Sequence, residues 1–139
     1  MLKPCKLTDY IAEYHPKWTC EMPDGCPPED IEVAYGHPFF RLARYADRYD
    51  EDDFKSYAEL APYKDWGEDL PLAIGLSIIE GEKTVRNRIK SPFYNRFKGI
   101  IAMNLNKEDG VLKQTGKNLA HYTWWRTQQF SIENLKMLQ

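Results

Sequence analysis

The chain has 139 residues, 42% hydrophobic and 29% charged, with 19 Lys and Arg against 21 Asp and Glu. That length suits one domain that buries a core without a disulfide or metal staple. A net charge of −2 argues against a dominant nucleic-acid footprint, and no apolar run approaches the ~20 residues of a spanning helix.

The opening MLKPCKLTDY holds no apolar stretch of the kind a secretory signal carries, so a cytoplasmic protein with no membrane contact is expected. Cys5, Cys20 and Cys26 are odd in number and sit in the first fifth of the chain, whereas an exported disulfide scaffold shows an even, denser set. A zinc site completed by His15 or His37 would want a close C-x2–4-C pair, but five residues including Pro23 separate Cys20 from Cys26. Three reduced thiols and no metal are the expectation. Residues 1–139 read as one domain, with 1–30 a proline-rich arm and loop and 31–139 the core.

Taken along the chain, residues 7–14 form a short helix with Thr8 as N-cap and Ile11 turned inward. His15 precedes Pro16 and is thereby pushed to extended geometry. Residues 20–28 (CEMPDGCPP) hold three prolines and a glycine, hence a loop. Residues 39–43 make a short strand with Arg41 inside an apolar run, which gives Arg41 the first claim on chemistry. Five carboxylates in residues 47–53 suit a solvated loop or a helix N-terminus and lack the glycine and alternate oxygens of a calcium loop.

A helix over residues 53–60, closed by Pro62, follows from the spacing of Phe54, Tyr57 and Leu60. Residues 74–79 (IGLSII) make a buried strand. Residues 80–90 form a basic helix with Val85 and Ile89 inward and Lys83, Arg86, Arg88 and Lys90 outward, a solvated face before it is a phosphate site. Residues 98–105 are the clearest strand; the turn at Glu108-Asp109-Gly110 leads residues 111–115 back as a hairpin arm. The aromatic, alternating residues 121–127 (HYTWWRT) are another strand, and Ser131 caps a final helix carrying Ile132, Leu135 and Leu138. The fold class expected is α+β: a single compact domain with an antiparallel or mixed sheet of about four to six strands and short flanking helices.

No G-x-S-x-G elbow, Walker A loop or G-x-G-x-x-G turn is present. On a strand, His121 and Thr123 share one face, opposite Tyr122 and Trp124. A two-histidine phosphoesterase would need a second H-x-T element, but His15 and His37 lie in HPK and HPF. The nine tyrosines and four tryptophans are mainly core, and of the adjacent Trp124 and Trp125 one is expected at the surface as a binding anchor.

The succession FFRL, DFKS, GLS, GIIAMNL and HYTWW resembles a family of small bacterial proteins patterned F-Y-R-L, D-F-x-S, G-x-S, I-A-x-L and H-x-T-x-W. Between residues 39 and 125 it is also similar to compact ADP-ribosyltransferase-like folds. That resemblance implies NAD as the cofactor, and otherwise none. Arg41 would grip the phosphates, Ser77 the nicotinamide riboside, and Tyr122 or Trp124 would stack a base. A catalytic glutamate would be expected late in the chain, where Thr127-Gln128-Gln129 stands, and the only later acid is Glu133. His121 would stand in as a hydrogen-bonding group, with Ser77 its catalytic companion. Without an anion to stabilise the developing oxocarbenium charge, transfer should be slow or absent.

Two functional expectations follow. The first is a nucleotide- or NAD-binding protein whose cleft gathers Arg41, Ser77 and His121. The second is a non-catalytic protein-binding module, an inhibitor or accessory factor of a bacterial or phage genome, using Trp124 or Trp125 and the acidic residues 47–53. The partner is then a small nucleotide or a protein, with no nucleic acid expected.

Overall fold

A computed structural model describes residues 1–139. Eight strands form one sheet: β1 (Leu2–Lys6), β2 (Asp30–Ala34), β3 (His37–Ala43), β4 (Leu76–Ile79), β5 (Gly99–Leu105), β6 (Gly110–Gln114), β7 (His121–Arg126) and β8 (Lys136–Met137). Their order is β1-β2-β6-β7-β4-β3-β5-β8, and every neighbouring pair is antiparallel. The sheet curls into a half-barrel and helix accounts for only 27% of the chain. The expected α+β class with four to six strands is thereby corrected to a fold that is more nearly all-β.

Three strands escape local sequence rules because pairing partners create them. The polar β1 lies at the sheet edge, where Pro4 withholds no needed donor, and matches β2 from Leu2↔Ala34 to Lys6↔Asp30. The second, β2, supplies the other half of that ladder. Residues 136–137, expected in a final helix, instead pair with β5 at Ile101↔Met137 and Ala102↔Lys136. The expected hairpin between residues 98–105 and 111–115 is also corrected, since β6 lies between β2 and β7. A 3-10 turn at Lys107–Asp109 and Gly110 at φ +133° redirect the chain there. A Cβ on Gly110 would sit 2.2 Å from the Trp125 carbonyl oxygen, so only glycine permits that approach.

Four short helices complete the fold: α1 (Leu7–Tyr14), α2 (Tyr57–Leu60), α3 (Leu70–Ile74) and α4 (Glu82–Ile89). The first has the expected span, but Thr8 is no cap, its hydroxyl donating to Glu29 Oε1 at 2.8 Å. Tyr10 and not Ile11 takes the buried side, and His15 closes the helix in the left-handed conformation instead of extended geometry. The helix expected over residues 53–60 is split by two capping boxes. Asp50 caps a 3-10 turn at Glu51–Phe54, and Ser56 with Glu59 caps α2. Each box satisfies orphan N–H groups, so the chain starts twice instead of running through.

Strand alternation sorts the apolar residues onto two faces. On one face, Phe39, Ile78, Ile101, Met103, Leu105, Leu112, Tyr122 and Trp124 form the main core, closed by Phe54 and Phe130. On the other, Tyr10 of α1 covers Ile31, Val33, Val111 and Trp125, and Val85 of α4 covers Ile79 and Ile100. Both tryptophans are 1% exposed, which corrects the expectation that one would anchor a partner. Their indole N–H groups donate inward, Trp124 Nε1 to the Asp109 carbonyl at 3.1 Å and Trp125 Nε1 to the Pro71 carbonyl at 3.0 Å. Trp125→Ala should therefore cost about 3–5 kcal/mol, read as a lowered urea midpoint with the denaturant slope unchanged.

Candidate functional site

Between the patch under α1 and the patch under α4, the second face carries Ser77 on β4 and Thr123 and His121 on β7, aligned as the pairs Ser77↔Thr123 and Ile79↔His121. No helix covers Ser77, which is exposed. The cavity there measures about 340 Å3, at the small end of ligand pockets. Gly75 lies in its wall, where a Cβ would come within 2.2 Å of Thr123 Cγ2.

The cavity opens at a break in the sheet. Strands β3 and β4 pair at one position, Phe40↔Ile79; continuing the ladder would bring Leu42 opposite Ser77. Arg41 occupies the break. Its Nη1 donates to the Ser77 carbonyl at 2.7 Å and its Nε to the Asp53 carbonyl at 2.6 Å. An ion pair between Arg41 and the Asp53 carboxylate, the plain structural alternative, is not formed. That carboxylate instead accepts from Arg44 Nε at 3.3 Å and from the backbone N–H groups of Arg44 and Asp50. The Nη2 of Arg41 has no protein acceptor, and Arg41 is part of the cavity wall. Burial pushes the Arg41 pKa down to about 10, eased by Tyr57 and Asp53, and the group stays cationic at neutral pH.

Two further guanidiniums border the cavity, Arg88 of α4 and Arg96 of the following loop. Neither Arg88, Arg96 nor Arg41 meets a carboxylate within ion-pair distance, whereas Lys55 is paired to Asp52 at 2.9 Å and Arg44 to Asp50 and Asp53. The acids near the cavity are thus neutralised and three guanidiniums are not. Aromatic wall is supplied by Tyr57, Tyr94 and Phe97; Arg96 lies 4.5 Å from the Phe97 ring centre and Arg88 5.8 Å from that of Tyr94. A second hollow, bordered by Lys55 and Arg126, also holds Glu51, Glu59 and Glu133 and shows no such excess.

The contacts of His121 favour one tautomer. Its Nδ1 lies 3.0 Å from the Thr115 carbonyl, an acceptor only, and 3.1 Å from the Thr115 hydroxyl, which can take either role; a proton on Nδ1 satisfies both contacts. Nε2 is then an unprotonated acceptor without a protein partner. Burial lowers the His121 pKa below 6.5; the Thr115 carbonyl bond opposes this and the Arg88 charge adds to it. At neutral pH the imidazole is uncharged.

Arg41, Ser77 and His121 are therefore brought together, as the sequence suggested. Tyr122 and Trp124 are not: they point to the opposite face, 8% and 1% exposed, because the alternation that presents His121 and Thr123 turns them into the core. The base-stacking role expected of them is corrected on that ground. Sequence reasoning missed Arg96, Tyr57, Tyr94 and Phe97, and it read Arg88 as a solvated face. The available signal was the density of cations and aromatics in residues 82–98. The three cysteines are free thiols, and no three His, Cys, Asp or Glu side chains gather as a metal would require. Comparison with protein-family models, curated proteins and solved structures gives no match.

The depressed His121 pKa has a definite linkage sign. Between its folded value and 6.5 the unfolded chain binds the extra proton, so this residue's contribution to stability falls as pH drops through that window. Urea midpoints measured from neutral pH to pH ~5 should decline less steeply in His121→Gln than in the wild type. An identical decline would show that His121 titrates normally.

Proposed function

We propose that the chain binds a nucleotide through its phosphates, NAD or a relative of it, in a cleft built like that of a small ADP-ribosyltransferase. The observation that carries this reading is the convergence of Arg41, Ser77 and His121 on one cavity with Arg41, Arg88 and Arg96 free of carboxylates. A guanidinium offers phosphate a planar fork of donors and is the preferred partner where geometry matters. Arg41 is held by two carbonyls and keeps Nη2 for the ligand. Ser77 Oγ and His121 Nε2 add a hydroxyl and a pure acceptor for ribose or amide groups, and Tyr57, Tyr94 or Phe97 takes the stacking role.

Binding without rapid transfer is the form of the reading that the side chains favour. Cleavage at the nicotinamide riboside builds positive charge on the sugar, which a nearby anion must stabilise. The cavity's carboxylates, Asp52 and Asp53, are committed to Lys55 and Arg44, and Glu133 borders the separate hollow. Neutral His121 supplies no negative charge.

Thermal unfolding with millimolar NAD, ADP-ribose or ATP tests the reading. A ligand at about 100 times its Kd adds ~2.7 kcal/mol, several degrees for a chain of this size. The double variant Arg88→Ala/Arg96→Ala should abolish the shift while the unliganded Tm stays near wild type, because neither side chain has an ion-pair partner and Arg96 loses only an exposed bond, 3.2 Å, to the Tyr57 hydroxyl. Absence of a shift with all three ligands sinks the proposal.

A further inference from the structure

The net charge of −2 conceals a strong asymmetry. Residues 82–98 contain six of the 19 cations (Lys83, Arg86, Arg88, Lys90, Arg96 and Lys98) and one of the 21 acids, Glu82. The rest of the chain holds 13 cations and 20 acids. Glu82 is bound to Arg86 at 2.9 Å across one helical turn, so five cations of the segment face no carboxylate. Lys83, Lys90, Arg96 and Lys98 are exposed.

This stretch also forms one wall of the cavity. Arg88, Tyr94, Arg96 and Phe97 line it, and between them Phe93 stands out 86% exposed. A protruding phenylalanine flanked by unpaired cations serves no packing purpose here, since Val85 and Ile89 already seat α4 on Ile79 and Ile100. A basic segment with interleaved aromatic rings beside a pocket of about 340 Å3 has the chemistry that holds single-stranded nucleic acid. The cations track the backbone, and the rings stack bases without regard to sequence. A free mononucleotide would use the cavity alone and leave the outer lysines and Phe93 without a role.

We infer that the nucleotide entering the Arg41 cavity is the terminal residue of a single-stranded nucleic acid, whose following phosphates and bases run along residues 82–98. The inference rests on the phosphate-binding reading of that cavity and names the molecule to which the phosphate belongs.

Fluorescence anisotropy of labelled single-stranded oligonucleotides of about ten residues, within the usual site sizes, tests it. RNA and DNA are run as separate arms beside ADP-ribose and ATP. The expected result is oligonucleotide binding at least about tenfold tighter than mononucleotide at low salt, weakening steeply as salt rises. The triple variant Lys83→Glu/Lys90→Glu/Lys98→Glu, all outside the cavity, should erase the advantage, reduce the log–log salt slope by about 2 and leave mononucleotide affinity unchanged. Phe93→Ala should cost about tenfold in oligonucleotide affinity alone. Mononucleotide binding with no oligonucleotide advantage overturns this inference and leaves the cavity reading standing; binding of neither removes both. An oligonucleotide advantage indifferent to the lysine variant, or preference for anionic lipid vesicles over either oligonucleotide, also overturns it.

Discussion

The site depends on one side chain doing the work of a hydrogen-bond ladder. Where β3 parts from β4 beyond the Phe40↔Ile79 pair, the Ser77 carbonyl loses the strand neighbour that would donate to it. Arg41 meets it and also ties down the Asp53 carbonyl. The same guanidinium thereby permits the sheet to open, anchors the segment from Asp50 to Leu60 beside the opening, and presents a leftover N–H to the space created. A lysine has neither the planar fork nor the number of donors to do all three.

Around that break the fold divides the labour between its faces. The main core takes the residues of one strand parity, including Phe39, Ile78, Tyr122 and Trp124, and it is this mass of buried aromatic and aliphatic surface that holds a curled eight-stranded sheet together. The opposite parity is covered only in patches, by α1 and α4. The uncovered strip between them presents Ser77 and His121. A pocket here is the consequence of two short helices failing to meet over a wide sheet, with its charge set by whichever residues reach the rim.

Charge placement gives that rim its character. The acidic residues 47–53, conspicuous in sequence as a possible interaction edge, are partly structural: Asp50 caps a turn, and Asp53 is buried and binds three N–H groups. Asp52 is paired with Lys55. By pairing with Arg44 and Lys55, these groups leave Arg41, Arg88 and Arg96 as the uncompensated charges of the cavity. The proposed anion site thus arises from subtraction as much as from accumulation, and no inspection of the local sequence separates paired from unpaired charges.

What the sequence determined by itself was local. The apolar run of residues 98–105, the alternation of residues 121–127, the helical spacing of Val85 and Ile89, and the proline-rich loop were all legible because each is a property of neighbours along the chain. So was the interest of Arg41, a charge set in an apolar strand, and of His121, whose strand parity with Thr123 put both on one face. Only the tertiary structure decided the rest. Strands β1, β2 and β8 exist because a partner ladder was available, and β6 found β2 and β7 in place of its neighbour β5 because Gly110 and the turn before it redirected the chain. The same parity that exposed His121 buried Tyr122 and Trp124, a fate that depends on which face the core occupies. Arg41, Ser77 and His121 lie 36 and 44 residues apart in sequence, and sheet order, a long-range quantity set by how buried faces pack, is what brings them to one cavity.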